Sequence, residues 1–121
     1  GATLLCVSDG TNTTTRIIEK GYVTITDSNS PYTTVAGAQI LANTTANPIT
    51  ITLPASPSTG DEVTIIDARG TFGSNNLTID RNSQPINSGT SNLVLSNNGQ
   101  ALTLVYIDST RGWAFKTNYT S

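Results

Sequence analysis

The stretch Ile49-Thr-Ile-Thr-Leu-Pro54, followed across a turn by Asp61-Glu-Val-Thr-Ile65, decides the fold class. Ile49, Ile51 and Leu53 alternate with Thr50 and Thr52, and Val63 and Ile65 flank Thr64. A period of two marks a strand, because successive side chains leave a pleated backbone on opposite faces. Between the two runs, Pro54 and Pro57 cannot donate to a ladder, and Gly60 permits the turn before Asp61.

The same pattern runs outward from this pair. Leu77 and Ile79 flank Thr78, and Leu93 and Leu95 flank Val94. Leu102, Leu104 and Tyr106 share one face of a longer run, with Ala101, Thr103, Val105 and Ile107 on the other. Trp113 and Phe115 close the series. Asn98-Gly99 reads as a type I′ hairpin turn, since both residues tolerate positive φ, and Asp108-Ser-Thr-Arg-Gly112 reads as the next hairpin loop. No stretch carries the i, i+3, i+4, i+7 spacing of a helix. The reading is an all-β chain, a small antiparallel β-sandwich of jelly-roll-like type.

Composition agrees with this and narrows the chemistry. Thr, Ser and Asn number 22, 12 and 12 in 121 residues, so hydroxyl and amide groups must cover much of the surface. Thr suits outward strand positions, where its branching fits the pleat and its hydroxyl meets water. There is no His, which excludes a Ser-His-Asp triad, an imidazole general base and a histidine zinc site. One Cys, Cys6, gives no internal disulfide and no thiolate cage, and it reads as a small buried residue. Six basic against eight acidic residues offer no field to hold nucleic acid. The apolar runs are too short to cross a bilayer as helices. No cofactor and no metal is expected.

Individual motifs favour structure over catalysis. Asp61 and Glu62 are adjacent, so in a strand they face opposite ways and cannot act as a pair. Asp67-Ala-Arg69 and Asp80-Arg81 read as charges that neutralise one another at strand ends. Asp27-Ser-Asn-Ser-Pro31 resembles the start of a calcium loop but lacks its Gly and its distant Glu. Tyr106, Trp113 and Phe115 are expected in the core. The Asn-x-Ser/Thr sites at Asn12, Asn43, Asn76 and Asn118 are about as many as this composition produces by chance.

Residues 1–30 are read as an N-terminal arm or β-extension and 31–121 as the compact domain, with Asp27 to Pro31 as a loop or linker between them. Only two Lys, Lys20 and Lys116, are present to guard sheet edges, so edge strands are expected to be covered by a partner chain.

Residues 32–115 resemble a small β-domain of virion structural proteins from tailed bacteriophages, including cyanophages. The resemblance lies in Tyr32-Thr-Thr-Val-Ala-Gly37, Ile40-Leu-Ala-Asn-Thr44, Ile49-Thr-Ile-Thr-Leu-Pro-Ala-Ser-Pro57 and Thr59-Gly-Asp-Glu-Val-Thr-Ile65. It continues through Asn75-Asn-Leu-Thr-Ile79, Leu102-Thr-Leu-Val-Tyr106 and Gly112-Trp113. It implies a non-enzymatic virion part, commonly a homotrimer. Shafts and coiled coils of fibres are missing from this chain, so a capsid decoration or cement protein bound to the major capsid protein is the first expectation. A tail or head fibre domain binding a host receptor or glycan is the alternative. In the first case the arm would anchor the domain by burying Leu4, Leu5, Ile17 and Ile18. The expected place is the virion, after synthesis in the host cytoplasm.

Overall fold

The computed structural model describes residues 18–19 and 21–119 of the chain. Ten strands run in chain order: β1 (Ile18–Glu19), β2 (Tyr22–Thr26), β3 (Tyr32–Thr33), β4 (Gln39–Asn43) and β5 (Ile49–Thr52), then β6 (Glu62–Asp67), β7 (Leu77–Asp80), β8 (Leu93–Leu95), β9 (Ala101–Asp108) and β10 (Gly112–Tyr119). They form a six-stranded sheet ordered β1-β2-β4-β6-β9-β10 and a four-stranded sheet ordered β3-β5-β7-β8. The only helical element among the described residues is a 3-10 turn at Asp27–Asn29.

From β2 to β7 the chain changes sheet at every step. The larger sheet therefore receives β2, β4 and β6 in one direction, and the smaller receives β3, β5 and β7 in one direction. This is a short two-faced solenoid of three coils. After β7 the chain reverses: β8 lies antiparallel on β7, β9 antiparallel on β6, and β10 antiparallel on β9. The all-β, two-sheet reading holds. The antiparallel, jelly-roll-like arrangement is corrected, since four of the eight strand pairings are parallel. Alternation marks a strand and its buried face but carries no information on direction.

Parallel registration stacks like on like. Val23, Ile40, Ile65 and Leu102 form one inward ladder across the larger sheet. Tyr32, Ile51, Ile79 and Leu93 form one across the smaller, beside Ile49, Leu77 and Leu95. These ladders, closed by Leu53, Val63, Phe72 and Leu104, are the core. Branched side chains fit it because their restricted χ1 costs little in a pleat and they stack at the spacing between strands.

The N-terminal boundary at residue 30 falls inside this core. β2 is paired along its length with β4, and Val23 and Ile25 are buried. Asp27 to Pro31 is a coil corner, with Asn47 Nδ2 donating to Asp27 Oδ2 at 2.8 Å and the Ser30 hydroxyl accepting from Thr50 N at 2.9 Å.

The turn chemistry is redistributed. Asn98-Gly99 leads from β8 in one sheet to β9 in the other, and only Gly99 has positive φ. The two-residue turns with paired positive φ are Asn82-Ser83 (50° and 72°) and Asn87-Ser88 (51° and 66°), in the loop between β7 and β8. Gln84 N donates to Arg81 O across the first, and Gly89 N to Ile86 O across the second. That loop folds over the last coil, with Trp113 N donating to Pro85 O and Asn87 N to Trp113 O. Asp108 to Gly112 is a hairpin turn as read, with Asp108 Oδ1 accepting from Thr110 N and Arg111 N.

Candidate interaction face

The two sheets present very different outer faces. Outward positions of the four-stranded sheet align as Thr33, Thr52 and Asp80 in one row and Thr50, Thr78 and Val94 in the next. Val94, 50% exposed, is the one apolar side chain there. The six-stranded sheet differs: Leu41, Ile66 and Ala101 align in one outward row, and Val105 and Ala114 pair in another, with Ile107 beyond them. Between these rows run Gln39, Thr64, Thr103 and Thr117, with the Thr64 and Thr103 hydroxyls 3.0 Å apart.

Across β2 to β10 of this sheet, Glu62 and Lys116 are the only charged residues at outward positions, and they pair at 2.9 Å; Glu19 adds a third at the β1 edge, in register with Tyr22. From β2 to β10 the face is thus apolar and hydroxylic, and its one ion pair is balanced. Such a surface gains from burial and gives up little in desolvation, whereas a threonine face is already satisfied by water.

The sequence signal for this face was an apolar residue out of phase with its neighbours. Ile66 follows buried Ile65, Leu41 follows buried Ile40, and Val105 lies between buried Leu104 and Tyr106. Alternation alone assigns such positions to solvent.

Edges add less than expected. β3 has two residues and β8 three, and β10 carries register shifts at Gly112/Trp113 and Phe115/Thr117. Short strands and bulges discourage edge pairing without Lys. The case for a partner therefore moves from the edges to the sheet face.

The carboxylates hold turns. Asp67, 7% exposed, sits at an inward position at the end of β6. Its Oδ1 accepts from Arg69 N at 3.3 Å and Thr71 N at 3.1 Å, and its Oδ2 from Phe72 N at 3.0 Å and Gly99 N at 2.9 Å. Burial works to raise its pKa, but the four backbone donors outweigh burial and hold the carboxyl below its ordinary value. The expected neutralisation by Arg69 is replaced by main-chain donors. Asp80 accepts from Asn82 N, and the Arg81 guanidinium donates to Gln84 O rather than to a carboxylate. Asp61 Oδ2 accepts from Ser58 N, while Glu62 faces Lys116, so the adjacent pair divides as read. Among the described residues, no three His, Cys, Asp or Glu come together at a metal-binding distance.

Trp113 and Tyr106 are buried and meet edge to face with ring centroids 5.4 Å apart. Phe115 is 38% exposed on the edge strand, so the core aromatics are two of the three expected. Tyr106 donates its hydroxyl to Gln84 Oε1, which ties the β7–β8 loop to the sheet.

At the first coil an apolar groove of about 180 Å³ opens between the sheets, lined by Tyr22, Tyr32, Val35 and Ala38 among others. Of the proposed anchoring residues, Leu4, Leu5 and Ile17 lie outside the described residues. Ile18 is in β1, its backbone in register with Val23 beside that groove. No protein-family model matches the chain, and no curated protein matches it.

Proposed function

We propose that the chain is a non-enzymatic structural part of a phage particle, a decoration or cement protein. It acts as a homotrimer that seats on the major capsid protein. The observation that carries this is the contrast between the two outer sheet faces: one is threonine and water-compatible, the other apolar, poor in charge and partly exposed among the described residues. A surface of that kind works by burial rather than by reaction. Repetition of a modest contact over a symmetric lattice then supplies firm attachment by avidity. The virion assignment rests on the sequence pattern of residues 32–115.

Sedimentation tests the oligomer. The protein should run near three times 12.7 kDa, in solution or once released from particles, and Ile66→Asp should give a folded monomer. A wild-type monomer or dimer in both settings, or a trimer indifferent to Ile66→Asp, would overturn it. Leu4, Leu5, Ile17 and Ile18 remain the proposed anchor. Deleting residues 1–20 should abolish particle attachment with the β-domain still folded, and full occupancy by the truncated protein would exclude the anchor.

The fibre reading is favoured by one observation, the coiled winding of stacked parallel strands, the kind of geometry from which shafts are built. Blocking of phage adsorption by the isolated domain would select that reading over decoration.

A further inference from the structure

Asn98-Gly99 sits at the rim of the molecule, where it is exposed in the connection between β8 and β9. An Asn followed by Gly is the dipeptide most open to attack of its own backbone on its side chain, because the following nitrogen has no Cβ beside it. Here both reacting groups are held. Asn98 Oδ1 accepts from Gly73 N at 2.7 Å, so the side-chain carbonyl is polarised and its rotamer fixed. A Cβ on Gly73 would come within 2.8 Å of that same oxygen, so Gly73 leaves the seat the amide occupies. The Gly99 nitrogen donates its proton to Asp67 Oδ2 at 2.9 Å.

We propose that Asn98 is a latched deamidation site, in which Asp67 restrains the Gly99 nitrogen from attacking the Asn98 amide. In the reaction, Gly99 N bonds to Asn98 Cγ, the Cγ–Nδ2 bond breaks, and ammonia leaves with the proton taken from Gly99. Water then opens the cyclic imide to aspartate or isoaspartate. Attack requires the nitrogen to lose its proton and turn toward Cγ. A carboxylate is far too weak a base to take an amide proton, and its negative charge opposes charge building on the nitrogen. The bond to Asp67 must therefore break first.

Conversion would have a defined structural effect. The isoaspartate product inserts a side-chain carbon into the backbone just ahead of Gly99, which pulls the Gly99 nitrogen off Asp67. One of the four donors that close the end of β6 is then lost, so the product is a loosened form of the same fold.

Peptide mapping by mass spectrometry after incubation at neutral pH tests this. The folded protein should convert Asn98 roughly tenfold to a hundredfold more slowly than a peptide of residues 94–104, the range expected for breaking a charge-assisted hydrogen bond. Asp67→Asn, verified as folded by circular dichroism, should convert markedly faster than wild type. Equal rates in wild-type protein and peptide would overturn the proposal, whether or not the variant folds. A folded Asp67→Asn that converts no faster than wild type would overturn the role of Asp67.

Discussion

Asp67 concentrates more backbone bonds than any other described side chain, and its charge state matters accordingly. Asp67→Asn replaces one carboxylate oxygen with an amide that faces N–H groups, so two donors lose their partners. Denaturant unfolding should show a loss of about 3 kcal/mol, the range for hydrogen bonds to a charged group. The sign of the pH effect follows from the depressed folded pKa. The stabilisation is fully present above the ordinary carboxylate value of 3.8 and is lost as pH falls through the lower folded value. Wild type should therefore lose stability below that point, while Asp67→Asn should lose the part of this slope that Asp67 contributes. Two serines give the opposite sign. Ser83 and Ser88 occupy positive φ, a region that disfavours any residue with a Cβ. Ser88→Gly should raise stability by about 0.5 kcal/mol, the relief of strain exceeding the added freedom of the unfolded chain. A thermal melt measures it. Gly112 permits no such exchange: its φ is 73°, and a Cβ would overlap the Pro85 carbonyl that accepts from Trp113 N. Gly112→Ala should detach the β7–β8 loop, read as lost protection of the Trp113 amide in hydrogen exchange.

At the scale of elements, the ladders carry the stability. Ile65 is fully buried between Ile40 and Leu102 in the middle of the larger sheet, so Ile65→Ala should cost about 2–5 kcal/mol in an unfolding titration. Thr50→Val on the opposite outer face should change stability by less than about 0.5 kcal/mol. Position and face of the strands were legible in the sequence because Ile, Val and Leu recur at the pleat period. Direction was not legible, since Ile49-Thr-Ile-Thr52 reads the same whether its neighbour runs with it or against it. Asn98-Gly99 misled for a related reason: its turn chemistry is real, but which sheet the next strand joins is a tertiary choice. The candidate interaction face was half legible, as out-of-phase Leu41, Ile66 and Val105. Their meaning appeared only when registration placed Leu41 and Ile66 in one row and Val105 beside Ala114 on the same face. Asp67 gave no signal, because three of its four donors come from the loop that follows it and one from a residue 32 positions away.

For the whole molecule, the scarcity of charge sets how association responds to solvent. The face holds one exposed ion pair, and such pairs contribute little and are screened by salt. The proposed trimer should therefore survive a rise from about 0.1 M to 1 M salt, where the screening length falls to roughly 3 Å. Dissociation over that range, followed by sedimentation, would point to an electrostatic contact instead. The winding has a last consequence, one of length. β8 and β9 lie antiparallel on β7 and β6, so the last coil is stoppered and the stack has a closed end. At the other end β1 lies antiparallel on β2, so the parallel run of the larger sheet is stopped on both sides and its length is a count of coils, each worth one strand spacing of about 4.8 Å. The domain is in this sense a ruler of set length, whose reach is fixed by the turns held between its two stops.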